Sequence, residues 1–434
     1  MVNLLNLSYS YLLYPTSKIY TMNIGKHIRE DRVFVNNILI TIFFGVIVNL
    51  LNYLFSVFLA RSLDASHFGL YNAALGIITL VQIPAIAIQT AITKRVASNK
   101  NFNLEKFKLK STIQLVIVAT VLSLLFYASG KYISDIANIP ISYIPALTLV
   151  VFGAIVSPIA KGFLLGLEKI LSFNIITLLE TALKFIFGFL AIYMEADITL
   201  VILAFALPSI ITSLFVLPLT KTKSDIQPTK EIKLNYRQIS LIFVTFFLLN
   251  VPFTLDLILV NPEVRASYGA LSLLGKIVYF GSVTIASLMI SKLANSKKHL
   301  RKRTLLISLV VSGLTGITIT GIYCLFSTEI VNIVFGGMYL DIVEYLVPYA
   351  IGMTAYALSY MVITSLLVDD SYIHIYFLVF VTLLQIVLYQ MNNTTLYDAV
   401  INQFIVYGVL SLFVFLILIF YIFKKNGKES KGST

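Results

Sequence analysis

Apolar runs alternate with short polar or basic intervals along the whole chain. Runs of about 20 residues, the length that crosses ~30 Å of hydrocarbon at 1.5 Å per residue, recur throughout. They fall at roughly 35–59, 69–92, 112–129, 141–160, 170–193, 198–219, 238–260, 268–291, 304–326, 343–367, 372–390 and 398–423. The pattern predicts an all-α fold, a polytopic membrane protein of about 12 transmembrane helices. The first 34 residues stand apart as a cytoplasmic or interfacial tail. Met1–Thr21 is mildly apolar but lacks a basic start and a small-residue cleavage site, so it is a poor signal peptide. Either Met22 is the true start or residues 1–21 lie on the membrane surface.

One unit occurs twice. Arg61-Ser-Leu-Asp64 is followed by Phe68-Gly69, a long apolar run and the basic exit Lys94-Arg95. Then Val264-Arg265 is followed by Tyr268-Gly269, Gly275-Lys276, another apolar run and Lys292, Lys297 and Lys298. The longest polar interval, 221–237, separates two sets of six runs, an N-terminal bundle at 35–220 and a C-terminal bundle at 238–423, with a tail at 424–434. An even number of helices per half starts both halves on the same side. The repeats are then parallel, related by an axis along the membrane normal, and a central cavity is expected between them.

Composition and charge narrow the class. Apolar residues make up 58% of the chain and charged residues 12%, too few to wet the surface of a soluble protein of 434 residues. The net charge of +12 does not point to nucleic acid, because the basic residues sit in clusters between apolar runs. With the N-terminus inside, the inner segments hold clusters such as Lys94–Lys110, Lys161 with Lys169, and Lys221–Arg237, while the outer loops hold only Arg61, Lys131 and Arg265. That asymmetry places both termini in the cytoplasm of a plasma-membrane protein. The inner loop 361–375, with Asp369 and Asp370, departs from it. Tyr132, Tyr143, Tyr268 and Tyr339 would form the interfacial belt in a chain without tryptophan. One cysteine and four scattered histidines suggest no disulfide framework, no metal and no cofactor.

The candidate chemistry lies in ionisable residues inside the runs, which lipid cannot satisfy. Glu180 and Lys184 stand four apart in the fifth run, with Asn174, Thr177 and Thr181 on the same face. Either Lys184 binds an anionic headgroup and Glu180 holds or neutralises it, or the two form a self-neutralising pair that locks helices. Asp256 follows Pro252, which leaves the Leu248 carbonyl without its helical donor. Asp256 is the candidate for a coupling cation or proton and Lys276 for a headgroup, unless the two simply bridge their helices. Asn49, Asn52 and Ser56 make a polar stripe on the first run, a cavity lining or inter-helix glue. Gly162 and Gly166 fit a small-xxx-small pattern but read as an inner turn, and Gly69 and Gly269 as tight outer turns. Asn392 and Asn393 offer a glycosylation acceptor.

Taken together, Leu59-Ala-Arg61-Ser-Leu-Asp64, Phe68-Gly69-Leu-Tyr71, Lys94-Arg95-Val-Ala97, Lys161-Gly162 with Gly166-Leu-Glu-Lys169, and Asp256 with Tyr268-Gly269 and Gly275-Lys276 resemble the polysaccharide-biosynthesis flippases. These Wzx-type oligosaccharide transporters belong to the multidrug/oligosaccharidyl-lipid/polysaccharide superfamily. The resemblance covers most of 35–423. It implies two six-helix bundles around a cationic cavity and a substrate that is a polyprenyl- or dolichyl-linked sugar, moved from the inner to the outer leaflet. Its partners would be that lipid, the membrane and glycosyltransferases of the same pathway, with no nucleic acid. The first helix lacks the acid often found there in drug-extruding members. A multidrug or cation antiporter coupled at Asp256 is the main alternative. A membrane-embedded glycosyltransferase would have only Asp341 and Glu344 as outer acids, and a scaffold without transport would leave the buried charges without a purpose.

Overall fold

The structure, a computed structural model, describes residues 24–98, 104–195, 197–220, 236–295, 298–368 and 374–429. Met22 and the segment before it, most of the 221–237 linker, Asp369 with Asp370 and the end of the tail lie outside the described residues. The described residues form thirteen α-helices: α1 (Ile24–Ser62), α2 (Ala65–Ser98), α3 (Leu104–Ala128), α4 (Gly130–Ala137), α5 (Ile144–Gly166), α6 (Ile170–Tyr193), α7 (Ile198–Leu219), α8 (Tyr236–Leu259), α9 (Arg265–Asn295), α10 (Lys298–Phe335), α11 (Leu346–Val368), α12 (His374–Met391) and α13 (Leu396–Glu429). Each expected apolar run falls on one of the twelve long helices. Among the described residues ten helices are long and apolar enough to cross a membrane, and Phe243–Leu259 of α8 forms a shorter apolar helix. The protein is a multi-pass membrane protein.

The chain divides into two compact units between Phe243 and Val244. In the first unit α5 is central, packed against α2, α3 and α7, while α6 packs on α1 and α7. In the second unit α11 is central, packed against α9, α10 and α13, and α12 packs on α13. The two central helices thus meet corresponding partners, whereas α6 packs on α1 only in the first unit's scheme and α9 packs on α10 only in the second's. The central helices α5 and α11 lie in the most buried apolar segments of the chain.

The helix ends explain the short connections. Asp64 caps α2, accepting from the His67 backbone N–H at 2.9 Å and lying 2.6 Å from its Nδ1. Those interactions with His67 hold the exposed Asp64 carboxyl below its ordinary range. Asp197 caps α7 through the Ile198 N–H at 2.8 Å. The α5–α6 turn closes with Glu168 in the left-handed region at φ 57° and a Lys169 N–H bond to the Leu164 carbonyl at 2.9 Å. Arg265, expected as an outer-loop charge, is 1% exposed at the start of α9. Its guanidinium donates to the carbonyls of Ile258 (3.2 Å) and Val260 (3.0 Å), just where α8 runs out of its own donors.

Three local expectations change. Gly162 and Gly166 are helical, in the last turns of α5, and the turn follows them at Leu167–Lys169. Both face α2: a Cβ on Gly162 would lie 2.8 Å from Ile92 Cβ, and one on Gly166 would lie 2.5 Å from Val96 Cβ. Gly69 and Gly269 likewise lie inside α2 and α9, not in the turns before them. Of the expected tyrosine belt, Tyr132 is exposed, whereas Tyr143 and Tyr268 are buried side chains bonded to carboxylates.

Candidate functional site

Each unit carries one polar constellation among the same three helices of its scheme. In the first unit these are α1, α6 and α7, with α5 behind them. The apolar faces of α1 and α6 are drawn together by aromatic packing: Phe55 lies 5.8 Å from Phe185 and 5.9 Å from Phe205, ring centre to ring centre. Gly188 makes room, since a Cβ there would lie 2.3 Å from the Phe55 ring. Inside this aromatic wall Lys184 donates to Asn52 Oδ1. Its ammonium also stands over the faces of Phe55 (5.0 Å) and Phe205 (4.7 Å). The Asn52 amide donates to the Val48 carbonyl at 2.9 Å, which fixes its oxygen toward Lys184.

Glu180 does not pair with Lys184. Its Oε2 accepts from Lys161 Nζ at 2.5 Å and its Oε1 from Thr212 Oγ1 at 2.7 Å. The self-neutralising pair expected on α6 is thus replaced by a pair between α6 and the central helix α5. Lys161, read as a charge of an inner turn, lies within α5 with its side chain 14% exposed. Elsewhere on the stripe Asn174 donates to Thr41 Oγ1 of α1 at 3.1 Å, while Thr177 and Thr181 donate to carbonyls of α6 itself, those of Phe173 and Thr177. Ser56 Oγ and Tyr71 Oη, 3.5 Å apart, link α1 to α2. Asn49 lies half-buried on α1, within one turn of Asn52.

In the second unit the corresponding helices are α8, α12 and α13, with α9 and α11 supplying tyrosines. Asp256 is fully buried. Its carboxylate accepts from Tyr268 Oη at 2.8 Å, the Leu257 N–H at 2.9 Å and Tyr349 Oη at 3.5 Å. Tyr389 Oη donates to Tyr268 Oη at 3.3 Å and lies 3.3 Å from Gln403 Oε1. The Pro252 ring leaves the Leu248 carbonyl without its helical donor, while side chains reach two neighbouring carbonyls, those of Leu249 and Pro252. Tyr356 Oη donates to the former at 2.8 Å. Gln385 and Gln403 donate to the latter at 3.1 and 2.7 Å. Lys276 of α9 stands over the Phe253 ring at 4.6 Å, so the expected Asp256–Lys276 bridge gives way to a cation–π contact. The two charges still act on each other electrostatically.

Sequence reading found Lys184, Glu180, Asn52, Asp256 and Lys276 because charges and amides stand out in apolar runs. It missed Lys161, Thr212, Gln385 and Gln403. Glutamine within the apolar runs of α12 and α13 was the available signal for the last two. Of the remaining acids, Asp341 and Glu344 are exposed on one short 3-10 turn, Leu340–Tyr345. Asn393, one of the two glycosylation candidates, donates to the Leu259 carbonyl at 2.7 Å and so ties the α12–α13 connection to the end of α8.

This arrangement has recognisable relatives. Residues 34–229 match the family model described as polysaccharide biosynthesis protein. Among solved structures, the lipid II flippase MurJ in an inward closed conformation is similar with a TM-score of 0.67 at 14% identity, over 88% of this chain and 87% of that one. An inward-facing multidrug resistance MATE transporter of the MOP superfamily is similar with a TM-score of 0.65 at 15% identity, over 89% and 96% of the two chains. A MOP-superfamily transporter from Pyrococcus furiosus, described by a reversed polarity of its binding pocket, is similar with a TM-score of 0.54 at 15% identity, over 97% of each chain. No curated protein sequence matches. The chain therefore has the fold of MOP-superfamily transporters. The family match covers 34–229, and the likeness to solved structures extends one fold over most of the chain.

Proposed function

We propose that this protein is a flippase that moves a polyprenyl- or dolichyl-linked oligosaccharide, or a related lipid-linked sugar, from the inner to the outer leaflet for cell-surface glycan assembly. The observation that carries the reading is Lys184: an ammonium within a membrane helix whose carboxylate neighbour is engaged elsewhere, leaving it an amide oxygen and two ring faces. A charged headgroup cannot enter hydrocarbon unpaired. Lysines at this depth give its phosphates a partner while the lipid tail stays in the bilayer. Lys276, held by a ring face, is the second such group, and Asn49 and Asn52 are the polar groups beside the first. The cycle is alternating access of two six-helix bundles, 35–220 and 238–423, joined by a basic cytoplasmic linker, in a plasma-membrane protein with both termini inside. Glycosyltransferases of the same pathway would supply the substrate.

The test is translocation of a radiolabelled lipid-linked oligosaccharide in liposomes carrying the purified protein. Lys184→Ala and Lys276→Ala should each reduce it while the protein still inserts. Wild-type translocation by both variants refutes the assignment.

The Asp256 network favours a second reading, a multidrug or cation antiporter. A fully buried carboxylate that accepts from two tyrosine hydroxyls and a backbone N–H suits a coupling proton or cation. Growth protection against cationic drugs that disappears in Asp256→Asn, with no lipid-linked sugar moved, would select it.

A further inference from the structure

We propose that Lys161 and Thr212 are positioning residues that give the Lys184 site its preference for anions, by holding Glu180 away from Lys184. The inference rests on the headgroup reading above and adds the device that makes it work.

On an isolated helix, glutamate four residues before lysine is the favoured orientation for an ion pair. Glu180 and Lys184 have that spacing on α6, and a self-neutralising pair is one of the two arrangements the sequence allows. Other helices prevent it. Lys161 comes from α5 and Thr212 from α7, and between them they occupy both oxygens of the Glu180 carboxylate. Lys161 and Glu180 are 14% and 12% exposed, so water does little to weaken their attraction. The three charges sum to one positive charge, and the partner chosen by Glu180 decides where it resides. With Glu180 on Lys161, the charge resides on Lys184. Asn52 and the two phenyl faces orient the Lys184 ammonium without cancelling its charge. An ammonium carries three donors, so a phosphate oxygen can still be met.

Removing the Lys161 charge changes the sum to zero. A buried carboxylate stripped of its partner is strongly unfavourable. For Glu180 the nearest replacement in sequence is Lys184, one turn along the same helix. The site would then be self-neutralised and its hold on an anion lost, although no residue touching the anion had been altered. Removing the Glu180 charge as well should give the charge back to Lys184.

The experiment uses the full chain in phosphatidylcholine nanodiscs, titrated calorimetrically with farnesyl pyrophosphate and, as the uncharged control, farnesol. Lys161→Gln should weaken pyrophosphate binding on the order of tenfold, the value of one hydrogen bond to a charged group. It should leave farnesol binding unchanged. Lys161→Gln combined with Glu180→Gln should return to wild-type affinity, and Glu180→Gln alone should bind at least as tightly as wild type. Unchanged farnesol binding by Lys161→Gln is the readout that separates a lost charge from a damaged fold, because a damaged site loses both ligands. If Lys161→Gln yields no protein, Thr212→Val makes the same test, with a smaller loss that Glu180→Gln again reverses. The inference is overturned if Lys161→Gln or its stand-in binds the pyrophosphate like wild type, or if the double variant stays weak. In either case the headgroup reading survives, provided that wild type binds and Lys184→Met does not. A wild type that ignores the pyrophosphate overturns that reading, and this inference with it.

Discussion

Adding a single methyl group where α5 meets α2 should unfasten the first unit. Gly162 and Gly166 stand four apart on α5, opposite Ile92 and Val96, four apart on α2. In Gly166→Ala the new Cβ would lie 2.5 Å from Val96 Cβ and 3.0 Å from the Thr93 carbonyl. Ordinary carbon contacts are about 3.5–4.0 Å, so the helices must separate by roughly 1 Å. A gap of that size forfeits a quarter to a half of each dispersion contact along the face, about 1–2 kcal/mol over some tens of contacts. It also stretches the Thr93 Oγ1 bond to the Gly162 carbonyl, now 3.2 Å, which contributes about 1 kcal/mol. The expected loss is about 2–3 kcal/mol, within the range of overpacked cores. Lipid tails are as apolar as side chains, so packing is what holds these helices together, and packing is what the substitution removes. The measurement is reversible unfolding of the purified protein in mixed dodecylmaltoside and SDS micelles. The clash is with Val96 Cβ, so Val96→Ala should not rescue Gly166→Ala, whereas Val96→Gly should, less about 1 kcal/mol for glycine within a helix. Unfolding of Gly166→Ala at the wild-type SDS fraction, or equal rescue by Val96→Ala and Val96→Gly, would refute the close approach of α5 and α2.

Three further outcomes are expected. Arg265→Met leaves the carbonyls at the end of α8 without their buried donors and should cost about 2–4 kcal/mol in the same unfolding assay, from the loss of hydrogen bonds to a charged group. Arg265→Lys should recover only part of it, lacking the guanidinium fork, and wild-type stability of the Met variant would contradict the cap. Asp64, held below its ordinary range by His67, stabilises the fold above its unfolded value near 4 and loses that contribution as pH falls through its lower folded value. Asp64→Asn should therefore flatten the dependence of thermal midpoint on pH between pH 5 and 3, and an unchanged slope would dismiss the cap as a pH-linked group. Gln403→Leu removes a donor to the Pro252 carbonyl and the oxygen near Tyr389, so hydrogen exchange in 250–256 should quicken, and protection equal to wild type would deny that these side chains hold the opened turn.

The long helices were legible because length and apolarity alone define a membrane helix, whatever it packs against. Their ends were less so. α3 begins at Leu104, eight residues before its apolar run, because Lys106, Lys108 and Lys110 interrupt hydropathy without interrupting a helix. α4, eight residues long, carries no membrane-length signal at all. Within the candidate sites, residue type marked the polar side chains inside the apolar runs, and spacing did not show whom they meet. Glu180 is four residues from one lysine and nineteen from another, and it pairs with the farther one, because α5 brings Lys161 to it. Gln385 and Gln403 meet Pro252 across 133 and 151 residues. Tyr268 read as a surface anchor because tyrosine suits an interface, yet its hydroxyl is the shortest partner of Asp256. Partners so far apart along the chain leave no periodicity to read. Glycines misled for a related reason: Gly166 is needed for the approach of another helix, whereas the turn that follows is made by Glu168.

The two units show which parts of the duplicated scheme are constrained and which are free. The central helices α5 and α11 meet corresponding partners, and that packing relies on small groups where one helix presses on another: Gly162 and Gly166 against α2, and Gly275 of α9, whose Cβ would lie 2.2 Å from the Tyr349 ring of α11. A change there moves a backbone, so the frame persists. The corner formed by α1, α6 and α7 and its counterpart in α8, α12 and α13 carry different side chains, opposite in sign. The first presents an ammonium against aromatic rings. The second presents a carboxylate, two amides and an opened backbone carbonyl. A cation suits the second corner and an anion the first, so a single duplicated frame can assign substrate recognition to one unit and ion coupling to the other. The proposed flippase rests on the first, and the competing antiporter on the second. Lys184 and Asp256 are therefore the pair of residues at which the two readings separate.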